Sequence, residues 1–187
     1  MDINNLLEST EKKLNSALEH FEDELKKLRT GRAHPSMLDG IMVNAYGTDM
    51  PLNQVSNITT PEAQLIQISP FDPNNIQAIS DAIRNNPSLG LNPSDDGRVV
   101  RIPVPPLTTE RRQEIVKQLS TKAEECHISC RNIRHDSLDE AKKAKNSKEI
   151  TEDDLNSVEK KINDLMNNIK NKVDQLSKAK EQEIMTV

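Results

Sequence analysis

The chain has 187 residues, enough for one ordinary domain or two small ones, and length alone does not choose between them. Charged residues make up 29%, the apolar set only 34% and aromatics 2%, with no Trp, which excludes a thick globular core and favours long solvated helices. A net charge of −5 speaks against a surface that coats nucleic acid all round, while leaving room for a local basic patch.

No stretch approaches the roughly 20 apolar residues of a membrane span. The opening residues, Met1-Asp2-Ile3-Asn4-Asn5, lack the basic and apolar parts of a signal peptide, so a cytosolic location is expected. All ten prolines fall between Pro35 and Pro106, and all five glycines between Gly31 and Gly97. The stretches before and after, free of both helix breakers, are therefore expected to be long helices.

In residues 1 to 30, Ile3, Leu7, Leu14, Leu18, Phe21, Leu25 and Leu28 recur at steps of three, four or seven. This is the seam of an amphipathic helix, and Gly31 is its stop. The period then changes. Residues 41 to 46, 52 to 58, 65 to 68 and 99 to 102 read as short strands. Asp72-Pro73 opens one short helix that buries Ile76, Ile79 and Ile83. After Leu107, Thr108 is the expected N-cap of a second long helix, with Ile115, Leu119, Ala123, Cys126, Cys130 and Ile133 as its seam, running to about Lys145. Thr151 with Asp154 three residues on makes a capping-box variant. It opens a third helix whose seam is Leu155, Val158, Ile162, Leu165, Ile169, Val173 and Leu176.

Three seams need one another. The expected fold class is α+β: an elongated antiparallel three-helix bundle built from residues 1–30 and 107–187, with a small β/α/β sandwich domain, residues 31–106, inserted into it. Two connections join the parts, Thr30-Gly31-Arg32 going in and Pro103-Val104-Pro105-Pro106 coming out. A double connection acts as a hinge that restricts motion to a few directions.

Few residues invite chemistry. Cys126 and Cys130 share a helical face, but His127 points elsewhere and zinc would need two further ligands; two small, reduced core residues are the better reading. The carboxylates Glu149, Glu152, Asp153 and Asp154 sit in charge-mixed helices, where solvation and the helix dipole account for them. No glycine-rich phosphate loop and no nucleophile elbow occurs. Neither a catalytic residue, a metal nor a cofactor is expected. The arginines say more. Ile133 belongs to the seam, which leaves Arg131 and Arg134 on outward positions one turn apart, able to meet phosphates, while Arg29 ends the first helix beside Arg32. Each alone is more often solvated or paired within its own chain. With so few aromatics to stack bases, any RNA bound is folded RNA, recognised by backbone and shape.

Four segments together resemble the ribosome recycling factors: Leu28 to Ser36 (LRTGRAHPS), Gly90-Leu91-Asn92-Pro93, Arg101 to Arg112 (RIPVPPLTTERR) and Arg131-Asn132-Ile133-Arg134. They stand in family order and at family spacing over essentially the whole chain. The resemblance implies a near-L-shaped, monomeric molecule of roughly transfer-RNA dimensions. It would act after termination on the large ribosomal subunit, splitting the subunits with elongation factor G and GTP. It also implies rRNA contacts at Arg29, Arg131 and Arg134, a hinge at Thr30, Gly31, Arg32 and Pro103 to Pro106, and a small domain moved by elongation factor G. His135 stands where many relatives appear with another basic residue, so this edge of the patch is expected to carry less charge at neutral pH. Two other classes compete: a coiled-coil adaptor or chaperone gripping protein clients, which would tolerate loss of Arg131 and Arg134, and a hydrolase using Cys126 or the carboxylates of the third helix.

Overall fold

The computed structural model describes residues 2–87 and 89–186. The chain forms two compact units, residues 2–30 with 109–186, and residues 31–108. Its architecture is α+β.

The first unit consists of α1 (Ile3–Lys26), α4 (Thr109–Asn146) and α5 (Glu152–Met185). At 38 residues α4 spans roughly 57 Å. Asp2 caps α1 by accepting the Asn4 and Asn5 amides, and α5 starts at the capping box expected: Thr151 Oγ1 accepts the Asp154 amide at 3.1 Å while Asp154 Oδ2 accepts the Thr151 amide at 3.0 Å. Cross-helix contacts fix the directions. Thr10, Ala17 and Glu24 of α1 meet Ser137, Cys126 and Lys122 of α4, and His127, Arg134 and Lys145 of α4 meet Asp174, Asn163 and Glu152 of α5. Numbers rise on one helix as they fall on the other, so α4 is antiparallel to both neighbours.

The α1 seam differs from the sequence expectation at its start. Ile3 and Leu7 are only half-buried, and Leu6 and Thr10 take the core positions before Leu14, Leu18, Phe21 and Leu25. Thr10 was invisible to a reading of apolar periodicity because its hydroxyl is satisfied inside: it donates to the Leu6 carbonyl at 2.7 Å and lies 2.8 Å from Ser137 Oγ. At the far end of the unit Leu6, Leu138, Ala141, Ala144, Ile150, Leu155, Val158 and Ile162 close into one cluster. Alanines at 141 and 144 let the helices approach where a larger side chain would hold them apart.

The second unit holds β1 (Met42–Ala45), β2 (Thr48–Pro51), α2 (Leu52–Val55), β3 (Ser56–Glu62), β4 (Leu65–Pro70), α3 (Ile76–Arg84), β5 (Ser94–Asp95) and β6 (Val100–Pro103). β1 and β2 form a hairpin, and the other strands form an antiparallel sheet in the order β3-β4-β6-β5. The strand expected over residues 52–58 is corrected: Leu52–Val55 is one helical turn and the strand begins at Ser56. Leu52 and Val55 are both buried, three residues apart, a spacing that serves a helix and not the alternation of a strand. β2 and β5 went unread because they carry little apolar signal. Ile66, Ile68, Ile79, Ile83, Val100 and Ile102 are almost wholly buried in a common core with Val43. Each contributes about 1.5–3 kcal/mol of burial.

Candidate functional site

Two of the expected RNA-facing arginines, Arg131 and Arg134, sit on α4 and are held differently. Arg131 is exposed on α4, and its Nη1 donates to Glu124 Oε1 at 3.0 Å. Arg134 is half-buried, turned towards α5, where its Nε donates to Asn163 Oδ1 at 2.7 Å. Arg131 points outward as expected, whereas the expected outward placement of Arg134 is corrected, and each is engaged by a side chain of its own chain. A guanidinium has five N–H donors, however, so each keeps nitrogens for a further acceptor. His135, next on the exposed face, pairs with Asp139 at 3.3 Å.

Arg29 is exposed just beyond the C-terminus of α1. Glu24 of α1 lies level with Lys122 of α4, so Arg29 is carried past that level, while Arg131 and Arg134 lie several turns away in the other direction. The structure joins Arg131 and Arg134 on one face and does not bring Arg29 to them.

The connecting segments are unequally held. The Ala33 amide donates to the Ala63 carbonyl at 2.7 Å and the Val104 amide to the Gln64 carbonyl at 2.8 Å, so both connections are tied to the tight turn between β3 and β4. Pro103 ends β6 opposite Leu65, and Val104 is buried. Of the expected hinge residues, Pro103 and Val104 therefore belong to the framework of the second unit. Thr30, Gly31 and Arg32 precede the first tie, and Pro105 and Pro106 follow the second. Gly31 adopts φ +83°, a conformation that a proline cannot take and a side chain disfavours.

Cys126 and Cys130 are buried, and the Cys126 thiol donates to the Ala17 carbonyl at 3.6 Å. The adjoining Cys130 sulfur and burial push the Cys126 thiol up, the reverse of what a nucleophile needs. His127 pairs with Asp174 at 3.2 Å, away from both sulfurs. Among the described residues no group of three or more His, Cys, Asp and Glu side chains converges on a point, and no helix is long and apolar enough to cross a membrane.

Sequence reasoning missed a feature of the second unit. Two of the three aromatic side chains in the protein, Tyr46 and Phe71, are exposed there at 73% and 69%. Tyr46 Oη donates to Asp72 Oδ2 at 2.9 Å, which fastens the tip of the β1–β2 hairpin to the residue beside Phe71. Asp72 is held below the usual carboxylate range by the Asn74 amide and then by Tyr46, so this apolar patch has an anionic edge.

The family model of the ribosome recycling factor matches residues 21–185. The chain belongs to the ribosome recycling factor family. Relatives agree along its length. The ribosome-recycling factor of Chloroflexus aurantiacus is 45% identical over 185 residues, covering 99% of this chain and all of the relative. That of Halalkalibacterium halodurans is 46% identical over 182 residues, covering 97% and 98%. Among solved structures, the solution structure of a ribosome recycling factor superposes with a TM-score of 0.74 at 33% identity, covering 100% of this chain and 99% of its own. A Thermus thermophilus ribosome recycling factor, described with Escherichia coli elongation factor G on the E. coli post-termination complex, gives 0.63 at 38% identity over 99% and 100%.

Proposed function

We propose that this chain binds the post-termination ribosome on large-subunit rRNA through Arg29, Arg131 and Arg134 and, with elongation factor G and GTP, splits the subunits so that mRNA and tRNA are released. It works as a monomer in the cytoplasm, without cofactor or metal, and catalyses nothing itself. The observation that carries this reading is the match, over essentially the full chain, to a relative described with elongation factor G on that complex.

The two units differ in how many cations they carry: the helical unit has 21 lysines and arginines against 23 carboxylates, the other unit far fewer. Residues 31–108 contain no lysine and four arginines against seven carboxylates, a balance of −3, and expose Tyr46 and Phe71. A surface with few cations and two bare aromatic rings suits a protein better than a phosphate backbone, so this unit is the one that meets the elongation factor. The helices carry the RNA contacts, and the double connection turns a push on the small unit into displacement of RNA by the other.

The test is sedimentation of the wild type and of Arg134→Ala with purified post-termination ribosomes, with and without elongation factor G and GTP, across a salt series. Binding and GTP-dependent splitting by the wild type, both reduced in the variant with a salt slope shallower by about one, is the expected result. A wild type that neither binds nor splits ribosomes overturns the proposal.

A further inference from the structure

Arg134 differs from most arginines whose partners are known, and Arg112, the other one held by neutral oxygens, is buried against the end of α5. Arg84, Arg101, Arg111 and Arg131 each pair with a carboxylate, whereas Arg134 makes no ion pair among the described residues and is held by a neutral amide oxygen. The bond uses Nε, the donor nearest the aliphatic stem, and both partners are half-buried between α4 and α5. Fixing Nε fixes the plane of the guanidinium. It leaves the two terminal nitrogens, which form the fork that matches a phosphate, and it leaves the positive charge uncancelled. A carboxylate in the same place would hold the group equally well but would neutralise it and compete with phosphate for the same donors.

The placement of Asn163 is set by the helix pair. Asn163 and Asp174, three turns apart on α5, each reach across to α4, to Arg134 and His127 respectively. Arg131 lies on α4 between those two cross-helix bonds, so the segment that presents both arginines is pinned to α5 at each end.

We infer that Asn163 is a positioning residue for RNA binding: its amide oxygen pre-orients the Arg134 guanidinium, through Nε, for a phosphate of the ribosomal RNA. This deepens the reading that Arg134 contacts rRNA and rests on it. An arginine that must be ordered on binding loses rotamer freedom that a pre-oriented one has already lost, so the contribution shows as affinity rather than as stability of the free protein.

The experiment is a double-mutant cycle read by ribosome sedimentation over a salt series, with thermal melting of each variant: wild type, Asn163→Ala, Arg134→Ala, the double variant, and Asn163→Asp. Asn163→Ala is expected to weaken ribosome binding about three- to tenfold, the scale of ordering one long side chain, with an unchanged salt slope. In the Arg134→Ala background it should have no further effect. Asn163→Asp should weaken binding more and flatten the salt slope towards that of Arg134→Ala, because a carboxylate ties up the charge. Equal losses from Asn163→Ala in both backgrounds would make its role structural and overturn the inference. So would wild-type binding by Asn163→Asp while Arg134→Ala is impaired. Wild-type binding by Arg134→Ala is a different failure: it removes the RNA contact itself, and this inference with it.

Discussion

Arg112, in the first turn of α4, donates from Nη1 to the Ile184 carbonyl at 2.6 Å, in the last turn of α5. The arginine is buried at 6% exposure and lies also 3.5 Å from the Thr186 carbonyl. Final carbonyls of a helix have no partner within it and carry the negative end of its dipole, so a buried cation there meets two needs together. Leucine at this position would keep the volume and strand the carbonyls. Arg112→Leu is expected to destabilise the helical unit by about 2 kcal/mol, the scale of a charged hydrogen bond. Thermal melting reads this, and hydrogen exchange should place the loss in the last turn of α5. An unchanged melting temperature would show that water replaces the arginine at no cost.

Glu124 holds Arg131 at 3.0 Å, and both side chains are more than half exposed. Exposed pairs of this kind contribute about 0.2–1 kcal/mol, so the carboxylate competes weakly with RNA for the arginine. Glu124→Gln should therefore raise ribosome affinity about twofold at low salt, with the gain fading as salt screens it. Weaker binding by this variant would mean that Glu124 orients Arg131 rather than competing for it.

The exposed aromatics of the second unit give a prediction of a different kind. Tyr46 sits at φ +55°, a conformation that asparagine tolerates, so Tyr46→Asn with Phe71→Ser removes both rings without straining the turn. The double variant should fold and bind ribosomes as the wild type does in the absence of elongation factor G. Splitting in its presence should fall tenfold or more, since buried aromatic contacts commonly count for about 2 kcal/mol each. Normal splitting would remove this patch from the partner interface.

How far the sequence disclosed all this depended on the kind of signal. Long helices were legible because Gly and Pro are confined to the middle and because Thr151 and Asp154 make a local cap that needs no tertiary partner. Thr10 and Leu6 were missed as core residues because a buried hydroxyl pair across two helices leaves no mark in the apolar period. The arginines stood out as candidates, but not their partners. Glu124 is seven residues from Arg131 on the same helix, and Asn163 is 29 residues from Arg134 on another, a separation that no local pattern encodes. Exposure of Tyr46 and Phe71 was equally unreadable, since an aromatic beside a turn looks the same in sequence whether it is covered or bare.

The turn between β5 and β6 is sensitive to acid through Asp96. Asp96 Oδ1 accepts the amides of Val99 and Arg98, each at 3.0 Å, and Oδ2 accepts Nη1 of Arg101 at 2.8 Å. The Val99 amide first, then the Arg98 amide and the Arg101 guanidinium, hold its carboxyl down from 3.8 to about 2. Each bond is made to the ionised form, so the folded state binds this proton more weakly than the unfolded chain does. The stabilisation is therefore fully present above 3.8 and is lost as the pH falls through about 2. An NMR titration of the side-chain carboxyl should give a midpoint near 2, with the Val99 amide losing exchange protection over the same window. Asp96→Asn keeps an acceptor but has no proton to gain, so protection at Val99 should be lower at neutral pH and flat between pH 4 and 2. A midpoint near 4 in the wild type would mean that solvent, and not the turn, sets the ionisation of this residue.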